Sequence, residues 1–458
     1  MDSNPISRTS FPESGLPREE VLRTLDAYRL GDGDWKGGKT WSLVYDAGEE
    51  ITRLTQDAYE KYFHTNGLNP FVFQSLKRLE TETLSMVADL FRGDEHVVGS
   101  LTSGGSESVL MAVKTYRDEA RALRPEITQP EAVVPMSAHA AFEKAAHYFG
   151  VKLVHAPLAD DYRVDVAAVE KLITPNTIFL VGSAPQYPHG AIDPIEDLSG
   201  LAVKYHLRLH VDACLGGFTL PFIRDLGGDV PPFDFTLPGV SSLSADLHKY
   251  AFAAKGVSAL LYRDAALRQF QYFAYGDWPG GLFISPSATG TRPGGAIASA
   301  WAALKFIGRK GYLDITRGIL DTTKRLLAGI RAIPALSVLG DPPAGIFAFG
   351  SEEINIHALA DALELKGWVI DQQVNPACLH FMVTPAHADA ADDFLADLRQ
   401  AVAEVKAHPE SFEAGSVALY GMRAAVPDPG MVNQFITAAY SRFMTEGGEL
   451  SFEDLGDD

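Results

Sequence analysis

Near the middle of the chain a lysine stands between a histidine and a tyrosine, in Ser244-Ala245-Asp246-Leu247-His248-Lys249-Tyr250, with Lys255-Gly256 shortly after. Lysines ordinarily sit on solvated surfaces. Around this one, Ser241–Ala245 and Ala251–Ala254 are small and apolar. Burial penalises an ammonium, lowers its pKa and frees an amine lone pair, which is what Schiff-base chemistry requires. Local composition leaves a surface lysine on a loop as the alternative. A second candidate is Asp212 in His210-Val211-Asp212-Ala213-Cys214. It closes an apolar run that reads as a strand, the place where α/β sheets bind ligands. Alone it reads as well as a helix cap or a metal ligand.

The tract Thr102-Ser103-Gly104-Gly105-Ser106-Glu107-Ser108 supplies glycines and hydroxyls where a helix begins. Backbone N–H groups and the helix dipole favour an anion there, and glycine lets it approach closely. The pattern is neither a Walker loop nor a dinucleotide fingerprint, and by itself a plain turn would look the same. Glu107 has to face away from any such anion. His139 follows another short strand and offers a flat imidazole for stacking on a ring, or simply a packed core side chain. Taken in chain order, these are a phosphate cup at Gly104, Gly105 and Ser106, a stacking ring at His139, a carboxylate for a ring nitrogen at Asp212 and an imine lysine at Lys249. That order suits pyridoxal 5'-phosphate, whose pyridinium needs a facing carboxylate to act as an electron sink.

These groups need elements to hold them. Short β-branched runs at Ala132–Pro135, Lys152–His155, Thr177–Gly182, Leu207–Asp212 and Ser241–Ser244 alternate with helical patterns, which predicts a mainly parallel sheet with helices on both faces. After about residue 305 the texture changes to a long helix at 311–330, short strands near Ser337–Leu339, Ile346–Phe349 and Leu379–Val383, and a helix over Ala388–Lys406. The expected organisation is an entry arm over 1–60, a large cofactor-binding α/β domain over 61–305, a smaller α+β domain over 306–445 and an acidic tail over 446–458. The chain has 458 residues, 46% hydrophobic and 21% charged, enough to bury a large core without a structural metal. Its net charge of −20 disfavours nucleic acid as a partner. Two cysteines exclude a disulfide framework and a Cys-rich zinc site. The polar N-terminus and the lack of a long apolar run lead to the expectation of a cytoplasmic protein without a membrane span.

Longer stretches narrow the reading. TSGGSES followed by MAVKTYRDEA, then AHAAFEKAAHYFG, GSAPQYPHGAIDPI, HVDACLGGF, SADLHKYAFAAKG, GDWPGGLFISPSATGTRPGG and ALYGM resemble the sphingosine-1-phosphate lyase family of group II decarboxylase-like enzymes. The resemblance implies a PLP-dependent transferase type I fold, aspartate-aminotransferase-like, and a homodimer. It implies that Lys249 forms the imine, Asp212 meets the pyridinium, and His139 stacks on the ring. Gly104, Gly105, Ser106 and His248 would hold the cofactor phosphate. Lys255 and Tyr45 match positions that serve the substrate phosphate and the carbon–carbon cleavage, with Lys249 and His248 as further proton carriers. Arg292, in Gly290-Thr291-Arg292-Pro293-Gly294-Gly295, belongs to a loop near the active site at the family's dimer interface, and is expected on the cofactor side. The implied reaction is retro-aldol cleavage of a phosphorylated sphingoid base. An aromatic amino-acid or glutamate decarboxylase is the alternative, and a pyridoxal-phosphate-binding scaffold without turnover is a third reading. Three departures stand out. Asn69 replaces the histidine of the family's Asn-Pro-Leu-His, Gln186 stands where asparagine is usual, and the N-terminal membrane span of eukaryotic members has no counterpart.

Overall fold

The computed structural model describes residues 10–412, residue 417 and residues 429–446. The ALYGM motif at 418–422 and nearly all of the acidic tail lie outside the described residues. Seven strands form the main sheet: β1 (Val98–Thr102), β2 (Glu131–Pro135), β3 (Lys152–Ala156), β4 (Thr177–Ser183), β5 (Arg208–Asp212), β6 (Val240–Ala245) and β7 (Ser258–Tyr262). Their order is β1-β7-β6-β5-β4-β2-β3. The pairs β2–β3, β2–β4, β4–β5 and β5–β6 are parallel, while β7 runs antiparallel to both β6 and β1. Every residue of β2, β4, β6 and β7 is buried. This fits near-continuous apolar runs covered on both faces by helices. At the edge, β3 places Lys152 and His155 outward, charge and polarity that discourage further pairing.

The parallel strands expected from the sequence are present within a residue or two. The strand β7 was not among them: Ser-Ala-Leu-Leu-Tyr is a short apolar run without alternation, ambiguous by periodicity. Its reversal matters for function. It turns residues 246–257, the segment carrying Lys249 and Lys255, into the link between two antiparallel neighbours at the C-terminal end of β6.

Beyond the sheet, a hairpin of β8 (Phe273–Tyr275) and β9 (Phe283–Ser285) stands off the body. A helix over Gly294–Arg331 follows, broken at Gly308 (φ 57°, ψ 173°). The break lies close to the expected boundary at 305/306, and the helix begins well before the expected 311. A second sheet contains β10 (Ser337–Val338), β11 (Ile346–Gly350), β12 (Asp371–Val374) and β13 (Ala377–Met382), all antiparallel, in the order β10-β11-β13-β12. Helices Ile356–Glu364 and His387–Ala407 pack against it.

The first sixty residues are only partly an arm. The helix Arg18–Tyr28 buries none of its residues. Trp41, by contrast, is fully buried. It stacks on His387 at 4.3 Å, and its backbone bonds to Val369 and Met382. The helix Glu49–Lys61 then packs on Gly294–Arg331. Pinning Trp41 to the second sheet brings Tyr45 over the C-terminal edge of the first. Among the described residues no helix is long and apolar enough to cross a membrane.

Candidate active site

A cavity of about 320 Å³ opens at the C-terminal edge of the main sheet. Gly104, Gly105, Ser106, His139, Asp212, His248 and Lys249 all line it, joined by Ser183, Tyr187, Cys214 and Asp246. The strand ends place them. Thr102 ends β1, Ser183 ends β4, Asp212 ends β5, and Asp246 directly follows β6.

The glycine tract begins the helix Gly105–Leu123, whose N-terminus faces the cavity. A Cβ on Gly105 would lie 2.8 Å from Asp246 Oδ2 and 2.9 Å from Cys214 Sγ, and one on Gly104 would lie 3.1 Å from His248 Cε1. Any side chain here would fill the cradle, so glycine is required for space. Glu107 is turned to backbone amides, as an anion site needs. Its Oε2 accepts from Ser103 N at 2.6 Å, and its Oε1 accepts from Ala288 N at 2.7 Å and Thr289 N at 3.3 Å. One carboxylate thereby ties the turn before the helix to the 288–289 loop.

Asp212 is held from behind. Its Oδ1 accepts from Cys214 N at 3.0 Å and from Ser244 Oγ at 3.3 Å. Ser244 Oγ lies 3.2 Å from His210 Nε2, and His210 Nδ1 lies 2.7 Å from Ser242 Oγ. Burial drives the His210 imidazole down to about 4, so it is neutral and serves as scaffold. His139 is exposed within the cavity rather than packed in the core. Its Nδ1 accepts from Ala141 N at 3.1 Å, which orients the ring.

Lys249 departs from the expectation of a depressed pKa. Burial acts to lower it, but Asp246 Oδ2 lies 2.9 Å from Nζ, and Asp246, Cys214 and Asp212 together raise it above the ordinary lysine value. Together these interactions outweigh desolvation, the largest single influence, because opposite charge at hydrogen-bond distance favours the charged form. The His248 pKa is lowered by burial. Its Nδ1 accepts from Val257 N at 3.2 Å, which leaves Nε2 as the protonated nitrogen.

Lys255 behaves in the opposite way. Its Nζ donates to Leu43 O at 2.8 Å and His248 O at 3.3 Å and lies 4.7 Å from the centre of the Tyr45 ring. Partial burial, then the Lys249 ammonium, pull it down to about 8, although the residue keeps solvent contact. The Tyr45 hydroxyl donates to Met382 Sδ at 3.1 Å. Burial first, then Asp246 and Asp371, push its phenol up, away from neutrality. Of the two residues expected to serve cleavage, Lys255 is thus the one tuned toward pH 7.

Arg292 is not brought to the cavity of this chain. Its Nη1 and Nη2 donate to Glu80 Oε1 at 2.7 Å and Oε2 at 3.0 Å, and Nη2 also donates to Gly67 O at 2.6 Å. The guanidinium is buried in a structural ion pair that fastens the 290–295 loop. Asn69 is exposed and caps its own turn, accepting from Phe71 N. Gln186 is buried, donating to Tyr162 O and accepting from His189 N. It shapes the loop after β4.

Sequence reasoning passed over Tyr187 and Asp246. The Tyr187 hydroxyl donates to Asp371 Oδ2 at 2.7 Å, and its ring lies 4.2 Å from His380. Both partners come from the second sheet, a contact without local signal. Asp246 had a signal, the Asp-x-x-Lys spacing before Lys249, in plain view.

The site fits pyridoxal 5'-phosphate on its own geometry. It combines a glycine cradle at a helix N-terminus, a strand-end carboxylate fixed at one oxygen, an exposed imidazole face and a half-buried lysine. Comparison with known proteins agrees. Residues 39–350 match the pyridoxal-dependent decarboxylase conserved domain. A sphingosine-1-phosphate lyase of Arabidopsis thaliana is 44% identical over 93% of this chain and 80% of its own length. Sphingosine-1-phosphate lyase 1 of Rattus norvegicus is 42% identical over 96% and 79%. The solved sphingosine-1-phosphate lyase of Burkholderia pseudomallei superposes with a TM-score of 0.84 at 40% identity, covering 88% of this chain and 95% of that one.

Proposed function

Since the chain belongs to the sphingosine-1-phosphate lyase family of pyridoxal-dependent enzymes, we infer that it cleaves the C2–C3 bond of a phosphorylated sphingoid base, yielding a long-chain aldehyde and phosphoethanolamine. The observation carrying this reading is the likeness to lyases along nearly the whole chain. A decarboxylase must orient a carboxylate over the ring. A lyase must hold a terminal phosphate, and Lys255 beside Tyr45 is a cation suited to that.

Bound at Lys249, pyridoxal 5'-phosphate supplies an electron sink for the bond being broken. Gly104, Gly105, Ser106 and His248 would hold its phosphate, Asp212 its ring nitrogen and His139 its ring face. Asp212 keeps its position because two donors fix Oδ1. Beside Asp246, a free Lys249 amine would have high proton affinity. It is therefore the group on this chain best suited to take the 3-hydroxyl proton. Tyr45 stays a phenol and acts as a donor. Lys255 holds the substrate phosphate while it carries its charge, and Tyr187 closes one wall.

We further assign a homodimer in the cytoplasm. The β8–β9 hairpin exposes Phe273, Trp278, Leu282 and Ile284, an apolar face that supports a second copy. The two buried free cysteines suit a reducing compartment. Sedimentation velocity finding only monomers would remove the dimer. The activity is tested by incubating the holoenzyme with phosphorylated sphinganine and, separately, with glutamate and tyrosine. Fatty aldehyde with equimolar phosphoethanolamine is expected. Carbon dioxide without aldehyde would mark a decarboxylase instead.

A further inference from the structure

Asp246 is 2% exposed and precedes Lys249 by three residues. Its Oδ2 lies 2.9 Å from Lys249 Nζ and 3.7 Å from His248 Nε2, while Oδ1 accepts no hydrogen bond from the described residues. Such a carboxylate stays ionised only if charge close by offsets desolvation. Two sources are present, the lysine nitrogen and the N-terminus of Gly105–Leu123, whose first residue would bring a Cβ within 2.8 Å of Oδ2. Of the cavity's other carboxylates, Asp212 accepts from Cys214 N and Ser244 Oγ, and Glu107 accepts from the amides of Ser103, Ala288 and Thr289. The remaining groups facing the pair are Cys214 from just after β5, His248, Tyr250 and Lys255 from the lysine segment, Ser258 from β7, Tyr187 from the loop after β4 and Tyr45 from the N-terminal region. None is an anion bound to Nζ.

We propose that Asp246 is the counter-ion of the Lys249 nitrogen, holding its proton both in the free ammonium and in the protonated imine made with the cofactor. The proton count closes. Lys249 passes one proton to Asp246 Oδ2, and the freed lone pair adds to the aldehyde carbon. The aldehyde oxygen leaves as water as the carbon–nitrogen double bond forms. Asp246 then returns its proton to the imine nitrogen, so the positive charge begins and ends on nitrogen. The same pairing keeps the free lysine protonated, which shields it from stray carbonyl compounds until the cofactor's other anchors are engaged.

The proposal rests on Lys249 being the imine lysine, which borohydride reduction of the wild-type holoenzyme and peptide mapping test first. Label on another lysine removes that reading and this proposal together. With label on Lys249, the visible spectrum is titrated with pH in wild type and in Asp246→Asn. The longer-wavelength band of the protonated imine should persist in wild type to about pH 9, and its midpoint in Asp246→Asn should fall by at least about one unit, tenfold in proton affinity. An unmoved midpoint overturns the counter-ion. Should the variant not fold, the wild-type apoprotein decides alone. Modification of Lys249 by trinitrobenzenesulfonate should reach half-rate above the ordinary lysine value of about 10.5. A half-rate at or below that value overturns the proposal.

Discussion

Two lysines share one short connection between β6 and β7 and end in opposite electrostatic states. Lys249 is the more deeply set, yet it holds its proton more firmly than a free lysine. Lys255 keeps solvent contact, yet it loses its proton near 8. Depth of burial alone would rank them the other way. What separates them is the partner at the nitrogen, a carboxylate at 2.9 Å for Lys249 against two carbonyls, a ring face and a neighbouring ammonium for Lys255. Desolvation is the largest single influence on both lysines, and the sign of the shift turns on whether the charges at the nitrogen together exceed it.

That contrast can be broken in order of expected effect. Lys249→Ala should lower turnover by about 1,000-fold or more and abolish the visible band of the bound cofactor. A band that survived would place the imine elsewhere. Lys255→Ala should lower kcat/KM on a phosphorylated substrate by about 100-fold while leaving that band intact. Loss of the band would mean that this lysine serves the cofactor. The pH profile sharpens the same point. The Lys255 cation is lost as pH rises through about 8, so kcat/KM should fall toward about tenfold per unit above it. Lys255→Arg, charged throughout, should flatten that limb. Gly105→Ala places a methyl against Asp246 and Cys214. It should weaken cofactor affinity by about tenfold, as overpacking of roughly 1–2 kcal/mol implies, read by equilibrium dialysis. The smallest effect concerns stability. The folded pKa of Lys255 lies below its unfolded 10.5, so its protonation opposes folding in full below about 8 and ceases to do so as pH climbs toward 10.5. Lys255→Met should therefore stabilise the protein at pH 7 by less than about 1 kcal/mol, given solvent screening, with the gain vanishing near pH 10.5. A thermal melt at the two pH values checks it.

Much of the cavity lining was legible in the sequence, His248 through the family resemblance and the others through their residue types. Gly104, Gly105, Ser106, His139, Asp212, His248 and Lys249 converge on one cavity, because each lies at a strand end, in the few residues after one or at the start of a helix, and parallel strands in one sheet deliver all such ends to one edge. Arg292, expected on the cofactor side only through the family resemblance, is paired within this chain to Glu80, more than two hundred residues earlier, a contact without local signal. The strand β7 escaped notice for want of alternation, and with it the reversal that folds the lysine segment back. Tyr187 was hidden because Asp371 and His380, which hold it, sit on the second sheet.

By itself the amino-acid order determined the sheet-and-helix alternation and which side chains stand at strand ends, since both depend on periodicity and spacing within a few residues. Charge states were beyond it. Whether the amine of Lys249 is protonated depends on a carboxylate's distance and on the water excluded around both, quantities that exist only once β6, β7 and the helix starting at Gly105 have packed together. The same holds for Tyr45, which becomes a neighbour of Lys255 only after Trp41 is anchored against the second sheet. Local chemistry is written along the chain, whereas Coulomb interactions and desolvation act across space.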